Sequence, residues 1–432
     1  MARRGGVGIT ICSTPFAGLG RAQATSLGQP ELPLLVMPHP FGNRSRAEVD
    51  DIAAQCLAQL EQVLKEGRAV ARLSTAAAEA PAAPARTLSL PPDLEAINAW
   101  FDTQQWSDGL PIVPPTVARV EAMLAQTRRP RGEVIARLAP AFGAATVELV
   151  AINAVMAGLP PAAFPMLLAA VEAIAAPAFN LQGIQTTTNP VAVWLIVNGP
   201  LAEQLGFNAT FNCLGEGNRA NATLGRALRL VLRNIGGAVP GAMDRSTQGQ
   251  PARYTLCCAE NEAQSPWTSL RAEAGCDAAT STVTAMPMEG TLNMNTHSKD
   301  GHELVRVFAA TMQHPPSNEY VHGGEPWLVI GPEHADILAR AGYDKAGLQQ
   351  ALWEQSKMPA SAMARRDFER TRTSRIDELG EIGPDTLLPI AKAPCDIRIM
   401  VAGGPGTHSV YVPNFGNARA VTVALPPDEA AR

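Results

Sequence analysis

The first 70 residues alternate between short apolar segments and amphipathic ones, and this order constrains the fold more than any other feature of the chain. The pattern predicts strands at residues 7–12 and 34–37, and helices at residues 19–27 and 46–65. The order strand–helix–strand–helix is typical of a parallel sheet covered by helices. We therefore predict an α/β fold with a βαβα unit at the front.

Two strands do not make a stable parallel sheet by themselves, because such sheets have both faces covered and several neighbouring strands. Residues 1–6 also have the pattern of a last helical turn, with two arginines followed by two glycines. The sequence therefore predicts that residues 1–70 are the C-terminal half of a truncated α/β domain. Its front half is expected to be missing or to lie on another polypeptide.

Residues 9–64, with the Pro38-His39-Pro40 loop as the clearest marker, resemble the C-terminal half of the UGSC-motif (seleno)protein domain. That domain is itself similar to selenoprotein B, the substrate-binding subunit of glycine reductase. In such proteins a U-G-S-C or C-G-S-C motif lies just upstream of a turn and strand that residues 3–10 match, and the motif is absent here. The resemblance implies thiol or selenol chemistry. The absence of the motif would be explained by a selenocysteine codon that was read as a stop. It would also be explained by a split system, in which another chain carries the motif.

Residues 71–92 are rich in alanine and proline and lack an apolar period, which predicts a linker. Helix and strand patterns alternate through residues 93–432, and no internal repeat is predicted there. We expect these residues to form a larger α/β or α+β domain that binds substrate. Segments such as SDGLPIVPPT and GGPGTHS resemble the domain that often follows the UGSC module.

The predicted centre of the larger domain is residues 207–237, where a glycine-broken polar loop leads into an amphipathic helix. Asn221 or Thr223 is expected to cap this helix, with free N–H groups that point back over Cys213. Backbone donors at a helix start, with Arg219 beside them, favour an anionic group. The same surroundings lower the pKa of a thiol, so Cys213 is the candidate nucleophile.

Other candidates follow from their positions near strand ends and turns. His39 and Cys12 follow or end strands of the predicted parallel sheet, at the edge where such sheets place ligands. Asp108, in the SDGLP turn, is a candidate acid or base. The predicted catalytic residues are Cys213, His39 and Asp108, and the predicted substrate contacts are Arg219, Asn221, Arg226, Gln250, Cys12 and Asn43. Packing, turn formation and loop hydrogen bonding are the alternative roles for each.

His322, Glu325 and His408 are an alternative metal or acid–base set, although their separations match no known ligand spacing. The seven cysteines contain no C-x-x-C pair, which argues against a disulfide framework and a cysteine-type zinc site. The net charge of −5 comes with no dense basic stripe, so nucleic acid is not an expected partner. No apolar run approaches the length of a membrane span, and we expect a cytoplasmic protein.

These patterns lead to three hypotheses. The first is a subunit of a thiol- or selenol-type oxidoreductase that acts on a small, anionic organic substrate, with the nucleophile supplied from upstream or by a partner chain. The second is a metal-dependent hydrolase or lyase built on His322, Glu325 and His408. The third is a non-catalytic substrate-binding subunit. The sequence identifies no cofactor, and it is compatible with a homo-oligomer.

Overall fold

The computed structural model of the protein describes residues 8–42, 44–71, 85–315 and 317–426. The helical turn predicted for residues 1–6 lies outside the described residues, as does most of the predicted linker. Helices and short strands alternate along the described chain, so the predicted α/β or α+β class is confirmed.

The front of the chain is a two-stranded parallel sheet packed against two helices. It consists of β1 (Thr10–Ser13), α1 (Ala17–Ser26), β2 (Leu34–Met37) and α2 (Arg46–Ala71). The parallel register runs from Thr10 opposite Leu34 to Ser13 opposite Met37, which confirms the βαβα prediction. Within the described residues neither strand pairs with any further strand.

The larger domain contains most of the helices and strands. Its helices are α3 (Leu94–Thr103), α4 (Val117–Leu124), α5 (Val147–Ala157), α6 (Phe164–Ala175), α7 (Leu181–Thr186), α8 (Pro200–Gln204), α9 (Arg219–Asn234), α10 (Leu270–Glu273), α11 (Gly301–Met312), α12 (Asn318–His322), α13 (Pro332–Arg340), α14 (Lys345–Gln355), α15 (Arg365–Ser374) and α16 (Ile376–Leu379). Its strands are β3 (Val134–Leu138), β4 (Gly143–Thr146), β5 (Ala192–Asn198), β6 (Cys257–Ala259), β7 (Thr282–Met288), β8 (Leu292–Asn295), β9 (Trp327–Ile330), β10 (Met358–Pro359), β11 (Leu387–Leu388), β12 (Arg398–Val401), β13 (His408–Val412) and β14 (Val421–Ala424).

Two four-stranded mixed sheets pack face to face at the centre of this domain. The first sheet has the order β6–β5–β7–β14 and the second has the order β12–β9–β13–β8. Side chains alternate between the faces of each strand, so Trp194 and Trp327 point into the core between the sheets. Leu195 and Leu328 point outward, against helices. Helices α5, α6 and α9 cover the first sheet and α11, α13 and α14 cover the second, which gives four layers.

The two sheets repeat one strand pattern, which the sequence analysis did not predict. In each sheet one pair is parallel, β5 with β6 and β9 with β12, and the other two pairings are antiparallel. The first half of the domain places β5, β6 and β7 in the first sheet and its last strand, β8, in the second sheet. The second half places β9, β12 and β13 in the second sheet and its last strand, β14, in the first sheet. The segments WLIVNGP at 194–200 and WLVIGP at 327–332 occupy equivalent places. The expectation of no internal repeat is therefore wrong.

Contacts after these two strands support the equivalence, because in each half a serine at the start of the next strand accepts a hydrogen bond from a backbone N–H close to the Gly-Pro turn. The Ser281 hydroxyl accepts a hydrogen bond from the Leu201 N–H at 2.9 Å, and the Ser409 hydroxyl accepts one from the Gly331 N–H at 3.1 Å. A Cβ atom on Gly199 would lie 2.5 Å from the Thr280 carbonyl oxygen, and one on Gly331 would lie 2.4 Å from that of His408. Glycine is required at both places because the next strand passes too close for a side chain.

Two buried carboxyl groups, those of Glu319 and Glu325, hold the connection between β13 and β14 in place. Glu319 accepts hydrogen bonds from the Asn414 N–H at 2.9 Å and from the Tyr411 hydroxyl. Glu325 accepts one from the Ala420 N–H at 2.7 Å. Burial raises the pKa of both carboxyls, and that of Glu319 rises to about 8. These two residues hold the exchanged strand in place.

Replacement of Glu319 by glutamine is expected to flatten the pH dependence of stability. The ordinary glutamate value is 4.5 and the folded value is about 8, so the folded state binds more protons in this window. The stability that the Glu319 carboxyl contributes is therefore fully present below about pH 4.5 and is lost as the pH rises through about 8. Urea unfolding at several pH values should show that the free energy of unfolding falls less with rising pH in Glu319→Gln than in the natural chain. An equal fall, or the same flattening in the exposed control Glu95→Gln, would contradict this assignment.

Residues 361–381 are rich in charge, and the sequence pattern predicts that they are exposed. Most are, but the Arg375 side chain is fully buried. It pairs with Glu378 at 2.5 Å and donates to the carbonyl oxygens of Tyr320 and Pro389, at 3.1 and 2.5 Å. Arg375 therefore anchors α15 and α16 to the second half of the domain, which corrects the prediction at this position.

Candidate functional site

The loop before α9 is held by asparagine side chains. The helix begins at Arg219, and its cap is Asn218, whose side chain accepts from the Asn221 N–H at 2.9 Å. The predicted cap at Asn221 or Thr223 is therefore wrong by three to five residues. The buried Asn221 amide accepts from the Asn208 N–H at 2.9 Å and donates to the carbonyl oxygens of Asn208 and Cys213, both at 3.1 Å. Asn221 thus shapes the loop from inside.

This loop brings Cys213 to a second cysteine, forming what we call the thiol pair, Cys213 and Cys258. The Ala259 N–H donates to the Asn208 carbonyl at 3.1 Å and the Gly403 N–H donates to the Ala209 carbonyl at 2.9 Å. The loop therefore runs across the ends of β6 and β12, and Cys213 enters the core between the sheets beside Cys258. Both residues are free thiols.

The two thiols differ in acidity because of their surroundings. Hydrogen bonding from Cys258 lowers the pKa of Cys213, and the N–H groups of Cys213 and Leu214 add to this against the opposing effect of burial. Burial raises the pKa of Cys258 well above the ordinary value. Cys213 is 5% exposed, and Phe211 in the same loop is 66% exposed. The more acidic thiol is therefore the one carried by a surface loop.

Asp108 and Arg226 pair with each other. Two hydrogen bonds of 2.8 Å join the guanidinium to the carboxylate, and Arg226 also donates to the carbonyl oxygens of Leu110 and Pro111. Burial raises the pKa of Asp108, but Arg226 outweighs that effect, so the net shift is downward. The pair fastens the predicted Pro-rich turn to α9. The proposed catalytic and substrate roles stay predictions, and both groups already have partners.

Two more residues that were predicted to contact substrate already donate hydrogen bonds to backbone carbonyl groups. Arg219 donates to the Gly158 carbonyl oxygen at 3.1 Å, at the end of α5. The Gln250 amide nitrogen lies 2.8 Å from the Pro190 oxygen and also donates to the carbonyls of Met288 and Glu289. Gln250 therefore sits at the start of β5, whereas Cys213 lies at the end of β6, and the structure does not bring the two together.

The predicted metal set does not assemble. Because Trp327 pairs with Val412 and Val329 with Val410, Glu325 lies before one end of the β9–β13 ladder and His408 lies at the other. Across the described ranges, no group of three or more His, Cys, Asp or Glu side chains is arranged to hold a metal ion. The metal-dependent alternative therefore loses its predicted centre.

A buried carboxyl that the sequence analysis missed lies where the parallel strands β5 and β6 end. Asn198 donates to Glu260 at 2.6 Å and to Glu262 at 2.9 Å, and the Leu270 N–H donates to Glu260 at 2.9 Å. Burial raises the pKa of Glu260 to about 7. The available signal was the polar run Glu260-Asn261-Glu262 directly after a buried strand, at the edge where such sheets bind ligands.

The C-terminal ends of β1 and β2 form a second polar region, which we call the carboxyl edge. The Ser13 hydroxyl lies 3.2 Å from His39 Nδ1, and the Phe16 and His39 rings are 6.3 Å apart. Cys12 is the last residue but one of β1, which ends at Ser13 rather than at Cys12 as predicted, and burial raises the pKa of its thiol. Asn43 lies outside the described residues. Arg245 of the larger domain, which the sequence analysis did not single out, stands 6.0 Å from the Phe16 ring centre.

Comparison with known proteins identifies the front of the chain. The model of the UGSC family matches residues 1–66. These residues are similar to the UGSC family. The resemblance inferred from residues 9–64 is thus confirmed, while the likeness to glycine reductase and the loss of an upstream motif stay predictions. No curated protein and no solved structure matches the chain.

The UGSC segment has an open sheet. Ile11 on β1 is 56% exposed, although it lies in the register opposite the buried Leu35. Helix α2 packs mainly on β2. The structure thus presents an unpaired apolar strand edge within the described residues.

In the described ranges no single helix has the length and apolar character needed to span a membrane. One bent pair of helical segments, Pro161–Ala175 with Pro177–Thr186, has the necessary length and composition only when the two are taken together.

Proposed function

We propose that the protein is a subunit of a thiol- or selenol-dependent oxidoreductase that acts on a small, anionic organic molecule. The thiol pair is the observation that carries this proposal. Two free thiols in contact can pass between the dithiol and the disulfide, which transfers two electrons. The lowered pKa of Cys213 increases its thiolate fraction, and the thiolate is the attacking form.

The chemistry that fits this pair is reduction of an oxidised sulfur compound. The Cys213 thiolate attacks one sulfur of a substrate disulfide, and the other sulfur leaves as a thiol after taking up a proton. Cys258 then attacks Cys213 in this mixed disulfide, releases the second thiol with its proton, and leaves a Cys213–Cys258 disulfide. The substrate gains the two electrons and two protons that the thiol pair loses, and a second dithiol restores the pair.

The UGSC segment supports a division of labour with another piece of chain. A two-stranded parallel sheet has unpaired donors and acceptors along both edges, and Ile11 lies exposed beside one of them. We propose that a half-domain carrying the U-G-S-C or C-G-S-C motif pairs with β1, either from upstream or on a partner subunit. Chemistry of this kind suits the reducing cytoplasm, where thiols stay reduced.

Oxidation of the purified protein tests the thiol pair directly. Incubation with glutathione disulfide is expected to link Cys213 to Cys258, as shown by peptide mass spectrometry. Cys213→Ser and Cys258→Ser should each abolish this product, whereas Cys395→Ser, which removes an exposed thiol, should leave it unchanged. If glutathione attaches to Cys395 while Cys213 and Cys258 stay reduced and unlinked, the redox proposal is wrong, and substrate binding without catalysis is the remaining hypothesis.

A further inference from the structure

We propose that the carboxyl edge and Arg245 together form a binding site for a small organic carboxylate. Ser13 and His39 supply one side of this site, and their side chains are 3.2 Å apart at the ends of β1 and β2. Arg245 supplies the other side, with its guanidinium 6.0 Å from the Phe16 ring centre. The site therefore lies between the UGSC segment and the larger domain.

Among the described residues, Arg245 lacks an anionic partner for its charge. In the part of the chain that the structure describes, it makes no ion pair and no side-chain hydrogen bond, and its Nε atom is shielded from solvent. An N–H group deprived of both water and an acceptor is unfavourable, and an anionic oxygen restores the missing interaction. The arginine is thus prepared for a ligand that the chain itself does not provide.

The surroundings of Arg245 carry an excess of positive charge. The neighbouring carboxylate, Asp244, is buried and already pairs with Arg229 at 3.1 Å and with Arg253. It also accepts a hydrogen bond from the Ser246 N–H at 3.0 Å. One carboxylate therefore serves two other guanidiniums and leaves none of its charge for Arg245. The electrostatic balance favours an anion at this place.

The donors at this junction are of the kinds that bind a carboxylate. The ends of parallel strands are where α/β sheets place ligands. The guanidinium fork fits the two oxygens of a carboxylate, and a serine hydroxyl and an imidazole N–H can add further donors. The guanidinium of Arg245 lies over the Phe16 ring, a cation–π contact that orients it at this junction.

This site is separate from the thiol pair. Ser246, next to Arg245, donates to the Asn189 carbonyl oxygen before the start of β5, whereas Cys258 lies near the end of β6. The length of β5 separates these two ends of the sheet by roughly 20 Å. Binding at the junction and oxidation of the thiol pair can therefore each fail without the other.

Titration of the full chain with propionate tests the site. The nuclear magnetic resonance signal of the His39 ring, assigned with His39→Gln, should shift saturably with propionate and should not shift with the neutral analogue propionamide. Arg245→Gln should raise the dissociation constant at least about tenfold, the effect expected for loss of a charge-assisted pair. Arg340→Gln, which removes an exposed arginine paired with Asp336, should leave it unchanged.

Three results would overturn the proposal. The first is the absence of a saturable shift of the His39 signal with propionate. The second is equal affinity in Arg245→Gln and the natural chain, which would show that Arg245 does not face the edge. The third is binding of sulfate as tight as that of propionate at equal ionic strength, which would contradict a carboxylate ligand. None of these results depends on the redox state of Cys213 and Cys258.

Discussion

Replacement of Trp327 with alanine is expected to lower the free energy of unfolding by about 3–5 kcal/mol, and replacement of Trp194 is expected to have a similar effect. Both indoles are fully buried in the core between the two sheets. They also occupy equivalent places in the repeated strand pattern, each at the start of a WL segment. Truncation removes a large apolar side chain and leaves a cavity that neither rigid sheet can close.

Urea unfolding followed by circular dichroism measures this loss. Tyr254→Ala is the control, because Tyr254 is an aromatic side chain that is 51% exposed, and its loss should be below about 1 kcal/mol. Near-equal losses for the two tryptophan variants would support the repeated four-layer arrangement. A variant at Trp194 or Trp327 that behaves like the tyrosine control would show that its indole does not lie between the sheets.

Replacement of Asp244 with asparagine is the second change with a large expected effect, a loss of about 3–5 kcal/mol. The Asp244 carboxylate is buried and pairs with Arg229 and Arg253, and both guanidiniums are largely inaccessible to water. Burial and the charge of Arg253 already lower the pKa of Arg229 to about 10. An amide has nearly the same shape but no charge, so the substitution leaves two buried cations uncompensated.

The control for this change is Asp336→Asn, since Asp336 pairs with Arg340 in an exposed i, i+4 arrangement. Its loss should be within about 1 kcal/mol, as measured for surface ion pairs. The comparison therefore separates the effect of a buried charge from the effect of any lost ion pair. If Asp244→Asn unfolds at the same urea concentration as Asp336→Asn, the cluster around Asp244 is not buried as described.

Local sequence patterns were sufficient to predict the helices and strands that depend on neighbouring residues in the chain. The β1–α1–β2–α2 order followed from apolar spacing. The cap of α9 was misplaced because Asn218, Asn221 and Thr223 are all suitable cap residues. Only the contact of the Asn218 side chain with the Asn221 N–H distinguishes them.

Several functional features depend on residues far apart in the chain. Cys213 was predicted as a nucleophile from its loop, whereas its partner Cys258 was not singled out, because nothing in either segment indicates that the two meet. Arg245 and Glu260 were missed for the same reason. Asp108 and Arg226 were assigned separate roles, although they form one ion pair across 118 positions. Spacing along the chain carries no information about such contacts.

The sequence by itself determined the alternation of strands and helices, the parallel pair at the front and the similarity of that segment to the UGSC family, because periodicity and turn residues are local properties. The tertiary structure alone decided that two sheets face each other, that each half lends a strand to the other, and which polar groups are left without partners. These outcomes depend on how separate apolar faces bury one another and which charges the packing brings together. This long-range packing places the thiol pair in the core and brings the Arg245 guanidinium beside Phe16 of the UGSC segment.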